Sequence, residues 1–273
     1  MDEDFLSKGM RLSYSRAKLF ESFAFIGSVG TLFISIALLI IKTEPLLTWL
    51  VLSIFLLRIS NFLMNRFRSD WASLGHKIHH LNIFHVGLGD LPPPKIISEI
   101  QIAFEKQLAL PLRVVGSYFA TQSNIGPIRL VEAVTESSFH TSYLSRYSKR
   151  CHLIPIFFPI LLIACGLYGV TFSLDQITYG RIVAAIASFV VLGDFTNRFL
   201  DFRNHEQKTQ QIFIQGCELL KNPDAIIIDQ AKDFAYSYLL TIPGSPLIPD
   251  KIYHWFGERI DRAWKKTIVS CGI

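Results

Sequence analysis

The sequence predicts an all-α membrane protein with four transmembrane helices in two hairpins and a helical cytoplasmic domain. Three observations predict it. First, the 273 residues are 50% hydrophobic but only 18% charged, and 22 are Phe; soluble domains of similar apolar content carry about a quarter charged residues. Second, four apolar runs occur in two pairs. Third, the Lys and Arg residues gather on one side of every run.

The first run, Phe23 to Ile41, contains no charge. That is close to the ~20 residues a helix needs to cross a ~30 Å hydrocarbon core. A signal peptide would have a short basic leader and a shorter apolar core; here a long segment opening with Asp2, Glu3 and Asp4 comes before the run. The polar break "KTEP" (42–45) leads at once into "LLTWLVLSIFLLRISNFLM" (46–64). Two such runs joined by a tiny turn make a membrane hairpin rather than a buried core pair. The pattern recurs at 153–172 and 181–199, separated by "SLDQITYG". The fourth run is the weaker, with Arg181 and Asp194 towards its ends.

Charge placement sets the topology. Lys8, Arg11, Arg16 and Lys18 precede the first run, and Arg66 and Arg68 follow the second. Arg146, Lys149 and Arg150 precede the third, and Arg198 and Arg203 follow the fourth. The turns carry only Lys42 and, at the edge, Arg181. By the positive-inside rule both termini and the middle segment are cytoplasmic, in an inner (plasma) membrane. The expected organisation is a cytoplasmic N-terminal helix (1–22), a first hairpin (23–64), a cytoplasmic helical insert (65–150), a second hairpin (153–199) and cytoplasmic C-terminal helices (200–273). The net charge of +5 is accounted for by this topology, so no nucleic-acid partner is assigned.

The connecting segments read mostly as helices. Ile96, Ile100, Ala103, Phe104 and Leu108 have helical spacing over 95–110, after a turn at 87–95 with its Pro-rich "PPP". Residues 112–121 are β-branched and aromatic, fitting a short strand or an extended loop. Residues 126–150 form a long amphipathic helix, on one face of which Arg129, Glu132 and Glu136 make solvated or interhelical contacts. Helices are also expected over 200–221, over 222–240 with Asn222 as cap and Pro223 at the first position, and over 250–266 with Asp250 as cap. The four cysteines, 151, 165, 217 and 271, are too far apart for CxxC pairs and suggest neither a zinc knuckle nor a disulfide framework.

Candidate site residues fall in four groups. Arg58 lies late in the second run, where an arginine either snorkels to the interface or pairs within the bundle. Asp194 and Arg198, acid before base at i and i+4, have the spacing of a local ion pair, with a gating role as the alternative. His76, His79 and His80 share one helix face at i, i+3 and i+4, which suits a metal, a pH-sensitive contact or an ordinary polar face. Only the more distant His85 and Asp90 would complete a metal set. In the last helix Trp255, Phe256, Arg259, Arg262 and Trp264 form a basic, aromatic stretch, suited to the membrane surface or to packing on cytoplasmic helices. No phosphate-binding glycine loop, HExxH or GxSxG is present, so neither an enzymatic activity nor a cofactor is expected.

"YSRAK" (14–18) before the first run, the paired spans, the helical insert and the late "SPLIPDKIYHW" (245–255) together resemble the bacterial four-transmembrane S-4TM effectors, with the two-span SLATT proteins as looser relatives. The resemblance is architectural and covers most of the chain. It implies a membrane-disrupting or pore-forming effector of antiphage defence, triggered by a nucleotide second messenger or a defence-system partner, and it carries over no functional residue. The residues themselves imply a bilayer-embedded protein in which several chains would be needed to line a water path. They also leave open a small transporter or channel component, a non-catalytic scaffold, and a membrane enzyme, which would need a clustered His/Asp/Glu site at the cytoplasmic face.

Overall fold

A computed structural model describes residues 3–40, 44–108, 119, 123–170 and 176–271. Most of these residues are helical, with no strand among them: α1 (Glu3–Ile40), α2 (Glu44–Leu88), α3 (Pro94–Leu108), α4 (Pro127–Leu153), α5 (Phe157–Val170), α6 (Gln176–Leu220), α7 (Ile228–Leu239) and α8 (Asp250–Cys271). Four stretches are helical, long and apolar enough to cross a membrane: Phe5–Ile40, Pro45–Leu88, Pro127–Cys165 and Arg181–Leu220. Phe5–Ile40 and Pro127–Cys165 reach far ahead of the first and third apolar runs, and Pro45–Leu88 and Arg181–Leu220 continue far beyond the second and fourth. Of the expected hairpin turns, residues 42–43 and 173–175 lie outside the described residues, whereas Glu44 and Pro45 already belong to α2 and Gln176–Gly180 to α6. Most of 112–121 also lies outside the described residues; of that segment Phe119 is described, and it is buried.

Prolines explain the break between α4 and α5. Pro155 sits in a single 3-10 turn, Ile154–Ile156, and the Phe157 N–H donates to the Ile154 carbonyl. A second proline, Pro159, follows within the first turn of α5. Each lacks the N–H that a regular helix requires. At the other end of the chain, the expected helix start at Asn222 is corrected. Pro223–Ala225 is an isolated 3-10 turn, Asn222 makes no side-chain cap bond, and the extended backbone of Ile226 and Ile227 delays α7 to Ile228.

The chain divides into two compact units. Unit 1 comprises Met1–Arg16, Asp70–Ser148 and Phe202–Ile273; unit 2 comprises Ala17–Ser69 and Lys149–Asp201. Unit 1 is built around α4, whose buried residues run from Leu130 to Ser148. The hydroxyls of Thr135, Ser138 and Ser142 donate back to carbonyls of α4 itself, so this hydroxyl-rich helix is buried with those groups satisfied. Ile83, Phe84 and Val86 of α2 and Ala231, Phe234, Ala235 and Tyr238 of α7 pack with its first turns. The start of α1 is held by Leu6 and Met10 against Ile78, Ile100 and Phe104, and the Arg16 guanidinium lies 4.4 Å above the Trp71 ring.

The last helix, α8, packs against α4 through Ile252, Ile260 and Trp264. Trp264 lies 5.2 Å from Phe139, and Phe256 stacks on Tyr147 at 3.9 Å. His140 of α4 meets Asp261 at 3.1 Å. Two of the five residues proposed for a membrane-surface stretch are therefore packing residues, Trp264 fully and Phe256 partly. Glu132 and Glu136 are likewise buried rather than solvated, and Glu132 accepts from the Ser123 hydroxyl at 2.6 Å. Cys151 and Cys165 are free and exposed, whereas Cys217 is disulfide-bonded, a pairing that the wide cysteine spacing does not suggest.

Unit 2 is organised the opposite way. Thr31, Ser35 and Ser188 are fully buried, while Phe33, Phe62 and Phe189 are 68%, 73% and 67% exposed. Small polar residues inside and large apolar ones outside are what helices need when lipid is the solvent, because close backbone approach then replaces hydrophobic burial. Thr31 and Ser35 satisfy their hydroxyls on carbonyls one turn back in α1. Leu38, Ile54, Ala184 and Ala187 form one apolar cluster of this unit, and Leu32, Val191 and Phe195 form another.

Candidate functional site

Charged groups of unit 2 come together on α1, α2 and α6. The Arg58 Nη1 donates to Asp194 Oδ2 at 2.8 Å. Arg198 donates to Glu21 at 3.2 Å, and Arg68 approaches the same carboxylate at 3.5 Å. Asp201 is within electrostatic reach of both Arg68 and Arg198. Three carboxylates thus face three guanidinium groups. This corrects the expected local pair: Asp194 and Arg198 are committed to different partners on other helices. Arg58 is held by a carboxylate of α6.

The neighbouring polar contact is Asn61. Its amide meets the Ser28 hydroxyl at 3.2 Å and, turned so that its oxygen faces the serine, places its nitrogen 3.2 Å from the Ala24 carbonyl. Gly27 makes room for it, since a Cβ there would lie on the amide. The spacing and charge patterns single out neither Asn61 nor Glu21. The available signals are an amide three residues after Arg58 in the mostly apolar run 46–64, and an acid among the bases that precede the first run.

The ion pairs are only partly shielded; the Arg58 and Asp194 side chains are 28% and 39% exposed. A charge inside a span is costly unless paired, and an ion pair there can be exchanged for water or for ions. The arrangement can hold α1, α2 and α6 together. It contains no nucleophile–base pair. Among the described residues no group of three or more His, Cys, Asp or Glu is placed to hold a metal ion.

The three histidines of α2 lie beyond the apolar run, in unit 1, and do not converge. His76 packs on Tyr14, His79 meets the Met10 sulfur at 3.2 Å, and His80 contacts Phe84 and Tyr236. His85 bonds the Asp90 carbonyl. Burial lowers the pKa of His76 to about 4. Burial, aided by His76 and His80, lowers that of His79 to about 3. On α6 burial, aided by His76 and Lys208, lowers His205 to about 4, against a backbone hydrogen bond at Thr241 that works the other way. All three rings are thus neutral in the folded unit. The unfolded chain protonates them near pH 6.5 and binds more protons below it, so stability is complete above that pH and falls as pH drops towards 4. Melting of the detergent-solubilised chain is expected to shift steadily downwards between pH 7.5 and pH 5. The decline should be shallower in His205→Gln, and a flat profile in the parent chain would contradict this account.

No family model, curated protein or solved structure matches the chain, so its function is read from these residues.

Proposed function

We propose that this protein is a membrane-perturbing effector of the inner membrane, with four spans in two hairpins. Both termini, the insert and the tail are cytoplasmic in this reading. The observation that carries it is the set of ion pairs on the membrane-length helices, Arg58–Asp194 above all. A scaffold needs no charge in its spans, and such charges cost stability. A reversible ionic clasp gives the bundle a second, looser arrangement that a cytoplasmic event can favour. Helices α1, α2 and α6 each supply residues to both compact units, which offers a covalent route for that event.

The interior of unit 2 is filled by small polar residues and by apolar ones such as Leu38, Val191 and Phe195, and many of its outward residues are apolar, so a water path within one chain is not expected and permeation is assigned to several copies together. The trigger in this reading is a nucleotide second messenger or a partner protein of antiphage defence, as the architectural resemblance implies. The test is the membrane potential of bacteria induced to express the chain, followed with a depolarisation-sensitive dye, beside leakage from liposomes challenged with cyclic nucleotides. Prompt depolarisation or nucleotide-dependent leakage is the expected result. Normal growth, an intact potential and tight liposomes under every nucleotide would overturn the reading in favour of a scaffold or transport component.

A further inference from the structure

The face of α8 that points away from α4 carries its own chemistry. Lys251, Trp255, Arg259, Arg262, Lys265 and Lys266 follow one another at intervals of one to four residues and are all exposed. At 100° per residue they fall on one side of the helix. Trp255 is 62% exposed at the centre of this stripe. Glu258 is the carboxylate among these residues; Asp261, at the margin, is engaged by His140. The opposite side of α8 is occupied by the packing of Ile252, Ile260 and Trp264, so the helix does not need the basic stripe in order to dock.

We infer that this stripe is a binding surface for the anionic phospholipid headgroups of the membrane that holds the chain. Five cations interrupted by one acid complement a surface of phosphodiesters. An indole among them suits the headgroup layer, where an amphipathic ring has one apolar and one wet side. Basic clusters on amphipathic helices next to membrane spans read as anionic-lipid contacts for the same electrostatic reason. Tethering by the spans raises the local concentration of headgroups to a level at which weak contacts suffice. The inference rests on the membrane anchorage of the chain and is independent of whether the chain perturbs the bilayer.

The test uses the full chain in lipid nanodiscs, whose two faces are both open to solvent. One set contains phosphatidylcholine alone and the other an equal mixture with phosphatidylglycerol. The signal of Trp255 is the fluorescence of the parent chain minus that of Trp255→Phe. In the anionic discs this signal is expected to shift to the blue and to lose roughly tenfold in acrylamide quenching. Molar salt should reverse the change, because screening then acts within ~3 Å. The variant K251Q/R259Q/R262Q/K265Q/K266Q should abolish it while melting like the parent, since none of these side chains is buried. The same Trp255 signal in both disc types would overturn the inference. So would a response in the neutral discs to inorganic phosphate or to a single-stranded oligonucleotide, which would assign the stripe to free phosphate or to nucleic acid. A failure here leaves the depolarisation result standing, and the reverse holds.

Discussion

Substitution of Gly87 by valine is expected to cost the folded chain about 3 kcal/mol or more, near the upper end for overpacking. Gly87 lies in the last turn of α2, and a Cβ built there would meet both Cα and Cβ of Leu130 in α4 at 2.7 Å. Its carbonyl also accepts from the Gly126 N–H at 2.8 Å, so the two segments are tied together at this point. Two effects oppose each other. Replacing a helical glycine with alanine gains about 1 kcal/mol from restricted backbone freedom. The clash involves backbone atoms at the centre of a buried cluster, which cannot rotate aside, and it outweighs that gain even for alanine. Gly257, inside α8, has no atom within 4 Å of the position a Cβ would take. There the propensity term acts alone, and Gly257→Ala should stabilise by about 0.5–1 kcal/mol. Thermal unfolding in detergent measures both; a neutral Gly87→Val would show that α2 and α4 do not cross this closely.

Removal of one partner of the Arg58–Asp194 pair is expected to cost about 3 kcal/mol, the cost of an unpaired charge within a span. At a fully hydrated surface the same loss would stay below about 1 kcal/mol. The two magnitudes are far enough apart for the measurement to locate the pair. Arg58→Ala and Asp194→Ala should each destabilise strongly. The double variant should cost less than their sum, and the exchange Arg58→Asp with Asp194→Arg should recover much of the loss. In the proposed function the same single variants lower the barrier to the looser state, so cells expressing them should depolarise sooner than cells expressing the parent, and the exchanged pair should restore the delay. Single variants that melt like the parent and leave the potential unchanged would remove Arg58 and Asp194 from any gating role.

Helix content and the location of the membrane-length stretches were determined by the sequence alone. In a bilayer the backbone must satisfy its own hydrogen bonds, so an uncharged run of the required length has the helix as its open route. The turn expected at 87–95, which the structure confines to 89–93, was legible for a related reason: successive prolines can open a helix but not continue one. The pairing of side chains was decided only by the tertiary structure. Arg198 lies one turn from Asp194 in sequence, yet the carboxylate is taken by Arg58, 136 residues away. Spacing along one helix reports which groups share a face and carries no information about what another helix brings to it. His76, His79 and His80 illustrate the same limit, since a common face led each ring to a separate neighbour. In α8, Trp255 and Trp264 are nine residues apart, which turns them to opposite sides of the helix. That much is sequence. Which of the two is buried depended on Phe139 of α4, a contact between residues far apart in the chain, and it left the other tryptophan among exposed cations.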